Sequence, residues 1–123
     1  MTKKVLSVGN CSYDHGQLTK QLSKHFQAEV VAAEHTEEAL ERLRAEPFDL
    51  VLVNRIFDGN GQEGLDAIRR MKAEPELANM PVMLVSNYPE YQQKAVAAGA
   101  SPGFGKDQFK TLHSVESLRR VLA

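Results

Sequence analysis

The chain has 123 residues, 42% apolar and 25% charged, with a formal net charge of −1, which suits one domain burying about two-thirds of its unfolded surface. That balance lacks the basic excess of a nucleic-acid binder, no apolar run approaches the ~20 residues of a membrane span, and a single cysteine, Cys11, excludes an intrachain disulfide framework. A soluble, cytoplasmic domain is expected, because Met1 to Lys4 lead into a strand-like run rather than a signal peptide.

In chain order, the runs Val5–Val8, Val30–Ala33, Leu50–Val53 and Val82–Val85 predict strands. They are almost continuously apolar, as parallel strands covered on both faces must be. After the first run, Leu18, Leu22 and Phe26 recur every fourth residue and line one face of a helix. Thr36 is the expected N-cap of a second helix over Glu37 to Glu46, with Ala39, Leu40 and Leu43 inward and Pro47 beyond its end. Leu65, Ile68, Arg69 and Met71 belong to a third helix, which has stopped by Pro75. Pro89 suits the first turn of a fourth helix, Ala95 to Ala98 continue it, and Gly99 is its expected C′ residue. A fifth strand is read at Ser101–Gly105, weakened by Gly103 and Gly105, and a last helix runs from Val115 to Leu122.

This alternation predicts one α/β domain over residues 1–123, a single doubly wound parallel sheet with helices on both faces. Ligands of such sheets lie beyond the carboxyl ends of the strands, where the strand order reverses. The residues delivered there are Gly9, Asn10 and Cys11 after the first strand, Asn54 and Arg55 after the third, Ser86 and Asn87 after the fourth, and Lys106 after the fifth.

Three motifs compete for the site. Gly59, Gly61 and Gly64 have the spacing of a dinucleotide fingerprint, but that motif opens directly at the end of a first strand and is followed by an acidic residue closing the next strand. Here the glycines follow the third strand and the next one ends in Ser86, so a flexible loop is the better reading. In GNCSYDHGQ, a phosphatase-type thiolate would need an arginine six residues after Cys11 to clamp phosphate oxygens, and Gln17 stands there. Cys11 therefore reads as a small residue at the mouth of the site, with a redox-sensing thiol as the alternative. His15, His25, His35 and His113 show no zinc-binding spacing.

From Lys3 to Leu122 the chain resembles the receiver domain of bacterial two-component response regulators. KKVLSVGN, EPFDLVLVN, NMPVMLVSN and AVAAGASPGFGK carry the resemblance. It implies a flavodoxin-like fold with strand order 2-1-3-4-5. The family phosphorylates an aspartate after the third strand, with Mg²⁺ held by that aspartate and by an acidic pair after the first strand. A hydroxyl after the fourth strand and a lysine after the fifth contact the phosphoryl oxygens. By position, the phosphoacceptor falls on Asn54, the acidic pair on Gly9 and Asn10, the hydroxyl on Ser86 and the lysine on Lys106. The residue after the hydroxyl is Asn87 rather than a small one, the aromatic switch position is Gly103, and Asp58 stands in a lengthened loop where the family has proline.

An amide is a poor nucleophile toward phosphorus, and Mg²⁺ is usually held through carboxylates, so the resemblance implies a pseudo-receiver: no enzyme, no cofactor, no Mg²⁺. It would work through a protein partner or a homodimer, without nucleic acid or membrane. The surface expected to make those contacts holds Tyr91, Gln92, Phe104, Arg119 and Arg120. Two other functions stay open. One is a small-anion or small-ligand sensor built on Ser86, Lys106 and Asn54; the other is a receiver with displaced carboxylates at Asp58 or Asp14. Without an anion, Lys106 is expected to bond Asn54 and water or to pair with Asp58, because a buried ammonium needs a partner.

Overall fold

Residues 2–109 and 111–122 are described by the structure, a computed structural model. The apolar runs form strands β1 (Lys3–Val8), β2 (Ala28–Ala33), β3 (Leu50–Asn54), β4 (Val82–Val85) and β5 (Ser101–Phe104). Helices α1 (Ser12–Phe26), α2 (Thr36–Ala45), α3 (Gly64–Ala73), α4 (Pro89–Ala97) and α5 (Leu112–Leu122) alternate with them, and a short 3₁₀ turn over Lys106–Gln108 precedes α5. The five strands are parallel in the order β2-β1-β3-β4-β5.

β3 shows why its apolar run had to be continuous. Val51 and Val53 point to one face, into a core with Leu40, Ile68, Met71 and Ala95 from α2, α3 and α4. Leu50 and Leu52 point to the other, against Leu18 and Leu22 of α1 and Leu118 and Leu122 of α5. All four are fully buried, and each contributes about 1.5–3 kcal/mol relative to an exposed position. The order reverses around β1, so the β1–α1 and β3–α3 loops are splayed side by side at the carboxyl edge.

Several helix ends differ from the sequence reading. His35, not Thr36, caps α2: its Nδ1 accepts the Glu38 N–H at 3.2 Å. Thr36 is buried instead, and its N–H and hydroxyl both donate to Gln62 Oε1 in the β3–α3 loop. α5 starts three residues earlier than the periodicity indicates, at Leu112, which is 70% exposed and lies off the buried face formed by Ser114, Ser117, Leu118 and Leu122. Gly99 does end α4 with φ near 110°, its bare Cα packed against the Lys72 stem.

β5 pairs irregularly with β4, and its sequence explains how it pairs at all. Pro102 has no N–H to give to the ladder, and the register slips between Met83 and Val85. The Gln92 amide fills the gap: its Nε2 donates to Leu84 O and Ser86 O, and its Oε1 accepts the Gly103 N–H. A Cβ at Gly103 would lie 2.4 Å from Leu84 O, so glycine alone permits this approach. Gln92→Ala is expected to cost about 1–3 kcal/mol in denaturant unfolding through the stranded backbone groups. Faster amide exchange at Gly103 would accompany that loss; unchanged exchange would show that the amide is dispensable.

Candidate functional site at the carboxyl edge of the sheet

Asn54 ends β3 and is 6% exposed. Its Nδ2 donates to Gly9 O at 3.1 Å and to Ile56 O at 2.7 Å, tying the β1–α1 loop to the β3–α3 loop. Both amide hydrogens are thereby used, leaving Oδ1 for the cleft that Asn54 lines.

Gly9 has φ near 71°, and the buried Phe57 ring rests on its Cα. A Cβ there would lie 2.2 Å from a ring carbon, so position 9 has room for no side chain. Asn10 turns back, donating from Nδ2 to Ser7 Oγ at 2.9 Å. Gly9 and Asn10 line a small cleft with Cys11, Glu34 and Asp58, separate from the one beside Asn54. Among the described residues, no three His, Cys, Asp or Glu side chains are grouped to hold a metal ion. Cys11 caps α1, its Sγ accepting the Asp14 N–H.

Ser86 is buried after β4; its N–H donates to Phe104 O and its Oγ accepts the Tyr88 N–H at 3.1 Å. Asn87 bridges to the segment after β5, its Oδ1 accepting the Asp107 N–H at 3.1 Å. That oxygen would lie 1.9 Å from a Cβ at Gly105, so Asn87 and Gly105 fit only as a pair. Lys106 does not pair with Asp58 or Asn54. Its Nζ lies 2.7 Å from Asp14 Oδ2 in the first turn of α1, with the lysine side chain 41% and the carboxylate 11% exposed. Asp58 is held on the far side, its N–H donating to Gly9 O.

Asn54, Ser86 and Lys106 thus line one cleft of about 190 Å³, together with Arg55, Asn87 and Tyr88. Sequence reading placed Arg55 at the strand end without giving it a task. Its guanidinium carbon lies 5.1 Å from the Tyr88 ring centre and 4.9 Å from that of Tyr91. An arginine with aromatics more than thirty residues away gives no local signal of such stacking.

The glycine triplet also resolves. Gly59 and Gly61 have open space around them, whereas a Cβ at Gly64 would lie 2.1 Å from Asn54 O. The third glycine lets α3 start against the end of β3.

The expected contact surface needs correcting. Phe104 is 1% exposed and stands edge-on to Phe109 inside the core. Gln92 is committed to the β4–β5 gap and Tyr91 is half-buried beneath Arg55, while Arg119 and Arg120 are exposed on α5. A groove of about 560 Å³ opens between α4 and β5, lined by Pro89, Val96, Pro102, Gly103 and His113 among others. No helix of the described residues is long and apolar enough to cross a membrane.

The sequence profile of the response regulator receiver domain family matches residues 13–115. The chain belongs to that family. Solved structures agree with this receiver assignment in fold. A response regulator from Chloroflexus aurantiacus J-10-fl is 19% identical with a TM-score of 0.87, over 99% of this chain and 98% of that one. One from Thermotoga maritima is 27% identical with a TM-score of 0.79, over the same shares. A response regulator protein from Burkholderia pseudomallei is 24% identical with a TM-score of 0.73, over 98% of this chain and 66% of that one; its structure holds a phosphorylated aspartic acid, a calcium ion and citrate. No curated protein matches the sequence. The receiver therefore has the two-component signalling fold, with an amide ending β3.

Proposed function

We propose that this receiver is a signalling module that cannot be phosphorylated at the usual position and acts by binding a protein partner, as one domain over residues 1–123 in the cytoplasm. The observation that carries the reading is the Asn54 amide, whose two hydrogens bridge Gly9 O and Ile56 O. A phosphoacceptor must present a free nucleophilic oxygen to phosphorus; here the β3 terminus is neutral and serves as a clamp between loops. The Phe57 ring on Gly9 supports the same reading, because it takes the space an acidic side chain at position 9 would need. Without carboxylates at positions 9, 10 and 54 to hold a metal, charge developing on a phosphoryl group transferred to the end of β3 would lose its main stabiliser.

The pinned β4–β5 region fits a module whose binding surface is preset rather than switched. Gln92 and Asn87 each bridge between segments, and position 103 admits no aromatic. The α4–β5 groove, with the exposed Val96 on its wall and Arg119 and Arg120 on the following helix, is the surface we assign to a signalling protein or a second copy. No catalysis of its own is assigned to the receiver.

The test is incubation with acetyl phosphate and Mg²⁺, followed by intact-mass measurement, with the Burkholderia protein as the phosphorylatable control. The expected result is no mass gain under conditions that modify the control. A hydrolysable phosphoryl adduct on Asp14 or Asp58 would overturn the proposal.

A further inference from the structure

We propose that Asn60, at the tip of the β3–α3 loop, is a self-modification site: its amide deamidates through the backbone nitrogen of Gly61, giving aspartate and isoaspartate. Residues 58 to 63 of this loop are all exposed, and Gly59 and Gly61 have open space around them. Gly61, with φ near 72°, presents its backbone nitrogen with no Cβ to shield it. Asn60 Oδ1 accepts the Gln62 N–H at 3.0 Å, which folds the side chain across the Gly61 peptide and draws electron density from Cγ. The other asparagines precede cysteine, arginine, methionine or tyrosine, whose side chains crowd the same approach. Asn54 is also buried, with both amide hydrogens engaged.

The reaction needs only water and hydroxide. Hydroxide takes the Gly61 N–H proton, and the nitrogen attacks Asn60 Cγ to close a succinimide ring. The Cγ–Nδ2 bond breaks, and Nδ2 leaves as ammonia with a proton from water, which restores the hydroxide. Water then opens the ring. Cleavage of the new bond at Cγ gives aspartate; cleavage of the original peptide bond gives isoaspartate, whose chain runs through the former side chain. Either product carries a carboxylate in place of the amide. The Gly61 N–H donates to Phe57 O at 3.0 Å, so this bond must open before attack. It lies at an exposed tip with no side chain packed on either glycine, where local opening costs least. The two products differ in consequence. Isoaspartate lengthens the backbone by one carbon atom inside the turn that the Phe57 N–H closes onto Gln62 O at 2.8 Å. That turn seats the Phe57 ring on Gly9 and holds Gln62 Oε1 against Thr36 of α2. Isoaspartate therefore loosens the loop from both β1–α1 and α2.

The experiment is incubation of the whole chain at neutral and at mildly alkaline pH, followed over time by peptide mass mapping and amide NMR. The expected result is a mass gain, from ammonia lost and water added, confined to the peptide that holds Asn60. It should be faster at the higher pH, because the attacking nitrogen must lose its proton. Asn60→Gln should lose the gain, since its longer side chain closes a less favourable ring. In the isoaspartyl fraction the Gly9 and Thr36 amides should shift. Freshly prepared Asn60→Asp, which adds the charge without lengthening the backbone, should leave them in place. No gain at Asn60, or an equal gain at the other asparagines, would overturn the site. Unmoved Gly9 and Thr36 amides in the isoaspartyl fraction, or equal shifts in Asn60→Asp, would overturn the stated consequence.

Discussion

Asn54→Asp is expected to lower the unfolding free energy by about 2–4 kcal/mol at neutral pH, although it restores the residue type the family uses. The amide donates to Gly9 O and Ile56 O from a position only 6% exposed. A carboxylate there would lose both donations and set its charge against two carbonyl oxygens. The sign of the pH dependence follows. Such a carboxyl has its folded-state pKa raised above the unfolded value, so protons bind the folded state more tightly. The deficit should shrink as pH falls through the raised pKa and be complete at neutral pH. Urea unfolding of both proteins across the acidic range measures this. A variant as stable as the wild type at neutral pH would mean that the two carbonyls do not depend on the amide.

The second large effect is expected at Gly9. Gly9→Ala should cost about 2–5 kcal/mol, combining a left-handed backbone at φ near 71° with a methyl driven into the Phe57 ring. Gly59→Ala, in open space on the neighbouring loop, is the control and should stay within about 0.5 kcal/mol of wild type. Pairing Gly9→Ala with Phe57→Leu separates the two causes. A smaller ring-site residue should recover the steric part and leave the backbone part, giving a coupling energy of about 1 kcal/mol or more in a double-mutant cycle. A neutral Gly9→Ala would remove the argument that position 9 is closed to an acidic side chain.

These residues also mark where sequence reading succeeded and where it stopped. The runs Val5–Val8 and Leu50–Val53 revealed a parallel sheet because burial on both faces leaves no polar alternation in the strand. Asn54, Ser86 and Lys106 were identified as strand-end residues, and they line one cleft as the order 2-1-3-4-5 requires. Helix starts were less legible. A histidine cap at His35 carries no common signature, and Leu112 heads α5 on its exposed side, away from the buried Leu118 and Leu122. Phe104 read as surface because a short glycine-containing strand shows too few residues to reveal which face its aromatic takes.

By itself, the sequence determined the fold class, the residues delivered to the carboxyl edge and the absence of carboxylates at positions 9, 10 and 54, because those follow from periodicity and residue identity. Only the tertiary structure decided the partners: Asp14 with Lys106, Phe57 over Gly9, Gln92 in the β4–β5 gap and Arg55 between two tyrosines. Periodicity is a local property of the chain. These contacts instead join loops from different βα units, and their geometry exists only once the sheet has brought the strand ends together.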